Sequence, residues 1–142
     1  MFFQNEPPSE AFKKISNWVE NPDIAKAYAV FDEQNISNPS LMKAWSFLLG
    51  RPLEGRDHES LGLTKKRLEH SQEFVDAIKV FSKILRTTED KRLLVMIDEA
   101  ENLCRLKILV AQSKWREPLR YLLEDDNTGL IFTIGAEAQE EI

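Results

Sequence analysis

From Lys91 to Leu103 the chain reads Lys-Arg-Leu-Leu-Val-Met-Ile-Asp-Glu-Ala-Glu-Asn-Leu, and few folds accommodate such a run. Two charged residues lead into five large apolar ones with no alternation and no Gly or Pro, and the run breaks abruptly at Asp98-Glu99. An apolar pentamer of this kind reads as a buried parallel strand with helices over both of its faces. Carboxylates at the carboxyl end of such a strand stand where open α/β sheets bind their ligands. The search for function therefore begins at Asp98 and Glu99.

The flanking sequence is largely helical. Ser9 is the N-cap of a helix over about residues 10 to 20, with Phe12, Ile15 and Val19 on one side and Trp18 beside them. Asn21-Pro22-Asp23 stops that helix and starts another, in which Ile24, Ala27, Tyr28 and Phe31 recur at helical spacing. Pro39-Ser40 opens a third, carrying Leu41, Trp45, Leu48 and Leu49 and closed by Gly50. Residues 50–63 hold Pro52, Gly55 and Gly62 among charges and form a loop or two short turns. Ser71 then caps a long amphipathic helix lined by Phe74, Ile78, Phe81 and Leu85, with Val75 and Ile84 flanking. Thr87 to Asp90 turns into the apolar strand, 92–98. Between Glu99 and Glu124 the pattern is helical in two pieces, the second opening at Lys114-Trp115-Arg116-Glu117-Pro118, since proline in a first turn gives up no hydrogen bond. Asp125-Asp126-Asn127-Thr128-Gly129 is a turn. A second apolar strand, 130–134, follows; Gly135 ends it, and residues 136–142 begin one more helix.

The fold class that results is α/β: a mostly helical segment over 1–70, then helix, strand, helices, strand and helix over 71–142. That alternation implies a parallel sheet with right-handed crossovers. Two strands make only a partial sheet, and apolar strands of this kind call for further neighbours.

Composition narrows the function. With 142 residues, 42% hydrophobic and 30% charged, the chain is one domain's worth with a real core. A net charge of -5 argues against a broad nucleic-acid-binding face, so any nucleic acid belongs to a parent assembly. Cys104, the only cysteine, permits no intrachain disulfide and reads as a small buried hydrophobe in a reducing compartment. No apolar run is long enough to span a bilayer, and residues 1–6 lack the pattern of a signal peptide, which points to a cytoplasmic protein without membrane contact. His58 and His70 stand twelve apart without the spacing of a metal site. Lys65-Lys66-Arg67 reads as a solvated basic face, and Trp18, Trp45 and Trp115 as core packing.

The chemistry lies with the strand-end residues. In a nucleotide hydrolase, a strand-end Asp such as Asp98 holds Mg²⁺ through its water shell, because Mg²⁺ prefers oxygen ligands and keeps most of its waters. The following Glu99 orients or deprotonates the attacking water. Thr133, near the end of the second strand, hydrogen-bonds the γ-phosphate or that water. The competing reading is structural: Asp98 caps the next helix, with Glu101 completing a capping box and Glu99 favouring the helix dipole.

Leu93-Leu94-Val95-Met96-Ile97-Asp98-Glu99 resembles the Walker B motif of AAA+-type P-loop ATPases. Together with Asp98-Glu99-Ala100-Glu101-Asn102-Leu103, Ala44-Trp45-Ser46-Phe47-Leu48-Leu49-Gly50 and the Leu61-Gly62-Leu63 turn, it resembles the ATP-binding proteins of BREX bacteriophage-defence systems, from about residue 25 onward. The resemblance implies a partial P-loop NTPase-like three-layer fold, with residues 1–70 as a helical insertion and 71–142 as part of the ATPase core. It implies Asp98 as the Mg²⁺-site acid through water, Glu99 as the catalytic glutamate and Thr133 as the sensor, with ATP and Mg²⁺ as cofactors of the intact domain. The family's phosphate-binding loop, Gly-x-x-x-x-Gly-Lys-Ser/Thr, is missing. Its nearest echo, Gly50-Arg51-Pro52-Leu53-Glu54-Gly55-Arg56-Asp57, puts Arg-Asp where Lys-Ser/Thr is required and follows a helix. The chain alone is thus expected neither to bind ATP tightly nor to hydrolyse it. Two functions follow as expectations: an ATPase fragment completed by another ATPase segment, or a non-catalytic interaction module derived from one. Both call for self-association or a partner segment.

Overall fold

A computed structural model describes residues 8–32, 37–100, 102 and 109–134. Its elements run α1 (Pro8–Ser16), α2 (Pro22–Ala29), a 3-10 turn (Val30–Asp32), α3 (Asn38–Leu48), α4 (Asp57–Ser60), α5 (Ser71–Glu89), β1 (Leu93–Ile97), α6 (Leu109–Leu123) and β2 (Thr128–Phe132). The expected α/β class holds, with β1 and β2 forming a two-stranded parallel sheet. Cys104, Glu101, Gly135 and the helix expected over 136–142 lie outside the described residues.

The helices start where side chains can satisfy free backbone donors. Asn21 caps α2 by accepting from the N–H groups of Asp23 (3.0 Å) and Ile24 (3.4 Å). At α5 the cap differs from expectation: Ser71 is the first helical residue, and Glu73 reaches back to accept from the N–H groups of Glu69 (2.7 Å) and His70 (3.0 Å). A carboxylate satisfies two free donors where a serine hydroxyl satisfies one.

Helix α5 is the spine of the molecule. Ala77, Val80 and Ile84 join Ala11, Ile15, Ile24 and Phe47 in one buried cluster that crosses from the N-terminal helices into the second half. Fully burying a side chain such as Ile24, Phe47 or Ile84 stabilises by about 1.5–3 kcal/mol. The face expected to be buried, Phe74, Ile78, Phe81 and Leu85, is only half-buried. Packing on several sides is the reason. Ala77, Val80 and Ile84 meet the helices, Ser71, Lys79 and Ser82 contact α6 and the approach to β2, and Phe74, Ile78 and Phe81 face β1 across a groove.

Polar clamps hold the helical part together. Asp23, only 2% exposed, accepts from Thr64 N (3.0 Å), Thr64 Oγ1 (2.8 Å) and Lys65 N (3.0 Å). The Tyr28 hydroxyl donates to the Ala77 carbonyl (2.7 Å), and its burial pushes the phenol pKa up. The basic cluster 65–67 is partly structural, because Lys65 pairs with Glu73 at 2.8 Å.

Three further expectations change. Pro118 sits inside α6 instead of opening a helix. Proline has no N–H for the carbonyl four residues back, which is Lys114, and the Ser71 hydroxyl supplies that missing donor from α5. Trp18 packs against the core, whereas Trp45 and Trp115 are exposed, Trp45 standing edge-on to Phe31. Finally, β1 is not covered on both faces: Leu93, Val95 and Ile97 are half-buried, but Leu94 is 60% exposed and Met96 63%. Among the described residues the helical layer reaches one face only.

Candidate functional site at the strand ends

The parallel register pairs Leu93 with Thr128 and Ile97 with Phe132. Asp98 and Thr133 each follow directly, so the pairing carries them out of the sheet side by side. β1 is one residue shorter at each end than expected and β2 lies two residues earlier, which leaves Thr133 just beyond β2 and not within it. The ladder continues past them: Thr133 N–H donates to Ile97 O (3.0 Å) and Ala100 N–H to Thr133 O (2.9 Å).

Inside this frame the three residues singled out from sequence converge. The Thr133 hydroxyl donates to Asp98 Oδ1. Glu99 N–H donates to the same oxygen at 2.9 Å and to Thr133 Oγ1 at 3.3 Å. The Thr133 hydroxyl first, and the Glu99 N–H second, hold the Asp98 carboxyl below its ordinary pKa, because both stabilise the charged form. Asp98 is therefore an exposed carboxylate, ionised at neutral pH. Its bonds among the described residues run across the strand pair and to the adjacent amide, unlike the reach to later helix amides that a cap makes.

Glu99 has φ +51°, a left-handed conformation that non-glycine residues rarely adopt. Such a residue costs about 1–3 kcal/mol and persists only where its surroundings hold it. Here the holding contacts are the double acceptor for its N–H and a bond from Asn102 Nδ2 to Glu99 Oε2 (2.9 Å). Asn102 is the site residue that sequence reasoning missed. The available signal was its place three residues after Glu99, within reach across a helical turn.

The remaining candidates stay apart from this site. Gly50 ends α3 with φ +75°, Gly55 has φ +50°, and Asp57 opens the single turn of α4 while pairing with Lys43 at 2.8 Å. The 50–57 stretch therefore follows a helix and turns into a short one, which is not the strand-to-helix setting of a phosphate loop. His58 lies in α4 and His70 at the start of α5, and among the described residues no group of three or more His, Cys, Asp or Glu is arranged to hold a metal. No described helix is long and apolar enough to cross a membrane.

An exposed, ionised Asp98 beside a hydroxyl fits an acid that would hold a hydrated Mg²⁺ ion through its waters. The sequence holds no Gly-x-x-x-x-Gly-Lys-Ser/Thr loop of the kind that cradles phosphates. The chain matches no protein-family model, no curated protein and no solved structure.

Proposed function

We propose that this chain carries the acid half of an AAA+-type ATPase site, within a partial P-loop NTPase-like three-layer fold, and leaves the phosphate-binding half to another ATPase segment. The observation that carries the reading is the convergence of Asp98, Glu99 and Thr133 at the carboxyl ends of two parallel strands. The resemblance of 93–99 to a Walker B strand, and to the BREX ATP-binding proteins, supports it from the sequence side.

In the completed site, bound Mg-ATP supplies the electrophilic γ-phosphoryl group. Asp98 presents a fixed negative charge for the hydrated ion, Thr133 fixes the orientation of that carboxylate, and Glu99 is the base. Asn102 orients that base by donating to Glu99 Oε2 and leaves the other carboxylate oxygen to take the proton. The setting is cytoplasmic on this reading.

A second reading rests on the exposed Leu94 and Met96 on β1. In it the same fold is a non-catalytic interaction module, and the Asp98–Thr133 bond only ties the strand ends together.

One measurement separates these readings, and a second tests the half-site itself. In ¹⁵N NMR with Mn²⁺ as the paramagnetic probe, the acid-half reading expects selective broadening of the Glu99, Ala100 and Thr133 amides, lost in Asp98→Asn. Absence of local broadening refutes it and leaves the interaction module. Calorimetry with Mg-ATP is expected to give no tight binding. Tight binding abolished by Asp98→Ala refutes the half-site and makes the chain a compact ATPase.

A further inference from the structure

Met42 and Trp45 on α3 and Leu49, the residue that caps its C-terminus, are spaced three and four residues apart and share one stripe. Trp45 and Leu49 line an apolar groove of about 430 Å³ together with Phe74, Ile78 and Phe81 of α5 and Leu93 to Val95 of β1. Among the described residues no charged side chain lines it. Leu94 also belongs to the open sheet face, where Met96 follows two residues on and Ile131 stands beside Met96 in register. Met42, Trp45, Leu49, Leu94, Met96 and Ile131, between 40% and 65% exposed, thus form one surface from α3 across the edge of β1 onto the sheet. Among the described residues the edge is itself unpaired. β2 engages the backbone of Leu93, Val95 and Ile97, so the N–H and C=O groups of Leu94 and Met96 point away from it.

The size of this surface bears on what covers it. At about 200 Å² for a fully exposed large apolar residue, the six together expose roughly 600 Å². The largest apolar patch on a typical monomer is about 300–600 Å², and a standard interface takes about 800 Å² from each partner. Charge bears on it too. A partner chosen by opposite charge would meet carboxylates, and the groove offers none. Two molecules that each carry a net charge of -5 meet least repulsion across such an uncharged surface.

We infer that this surface is where two copies of the chain associate, as an isologous dimer in which the α3 stripe and the β1 edge of each copy face those of the other. The inference stands apart from the reading of Asp98, Glu99 and Thr133, none of which it uses.

The test is sedimentation velocity on the purified chain over about 1–100 µM, a span that covers dissociation constants of ordinary weak dimers. Alongside the wild type run Met96→Lys on β1 and Met42→Glu on α3. Both positions are more than 60% exposed, so neither substitution disturbs the core, and circular dichroism verifies the fold. The wild type is expected to sediment as two chains at the upper end of the range, and each variant as one, with the dissociation constant raised at least tenfold. A wild type that stays single-chain throughout overturns the inference, as does a dimer that survives both substitutions.

Discussion

Replacing Glu73 by glutamine tests whether one carboxylate organises the join between the helical segment and α5. Glu73 is 8% exposed and accepts four hydrogen bonds: Oε1 from Lys65 Nζ (2.8 Å) and Asn21 Nδ2 (3.2 Å), Oε2 from the N–H groups of Glu69 and His70. Burial pushes its pKa up, but the Lys65 bond and the two backbone donors outweigh burial and bring it down from 4.5 to about 2. A shift of that size corresponds to about 3 kcal/mol at 1.36 kcal/mol per unit. The Lys65 side chain is 42% exposed, and solvent screening trims the contribution to about 2–3 kcal/mol. The sign follows from linkage. A depressed folded-state pKa stabilises above the unfolded value of 4.5, and that stability is lost as pH falls toward 2. Glu73→Gln is neutral at every pH and lacks this component. Urea unfolding followed by circular dichroism is expected to show the variant about 2–3 kcal/mol less stable at pH 7, with more than half of that difference gone by about pH 3. A constant offset lies beneath the curve, because the amide NH₂ faces the donors of Lys65 and Asn21. Parallel stability curves for the two proteins between pH 7 and pH 3 refute the reasoning.

Three other substitutions probe separate features. Gly50→Ala drives a Cβ into Phe74 Cε1 at a backbone φ of +75°, and is expected to lower stability by about 2–3 kcal/mol in urea titrations. Ser71→Ala removes the donor to the Lys114 carbonyl that Pro118 leaves unpaired, at a cost of about 1 kcal/mol. The same change in a Pro118→Ala background is expected to cost clearly less, because the restored N–H takes over; equal costs in both backgrounds argue against the pairing. Thr133→Val removes the hydroxyl that holds the Asp98 carboxyl low, so ¹³C-detected titration is expected to move the Asp98 pKa up toward its ordinary range. An unmoved pKa would mean that the Glu99 N–H alone suffices.

Local chemistry made much of this protein legible from its residues in order. Asn21-Pro22 announces α2 because a cap and a proline suit the first turn of a helix and nothing else nearby. The five apolar residues before Asp98, and the apolar run from Leu130 behind an Asp-rich turn, likewise announce two strands, and a helix-rich crossover between them dictates that they run parallel. Asp98 and Glu99 stood out because charge following a fully apolar strand is costly unless it faces an opening. The contacts decided by packing were hidden. Thr133 reaches Asp98 only because the register sets Ile97 against Phe132, a pairing between residues 35 apart that no local pattern encodes. Pro118 looked like a helix start because its compensation comes from Ser71, 47 residues upstream on another helix.

The sequence by itself determined most of the order of helices and strands, that the strands are parallel, and which carboxylates end the first of them, since each can be read from the pattern along the chain. Tertiary structure alone decided which faces are covered. The pentamer of β1 is apolar on both sides, and periodicity cannot tell a strand enclosed by helices from one with Leu94 and Met96 left open. That depends on how far the helical layer extends, which is a property of the packed chain.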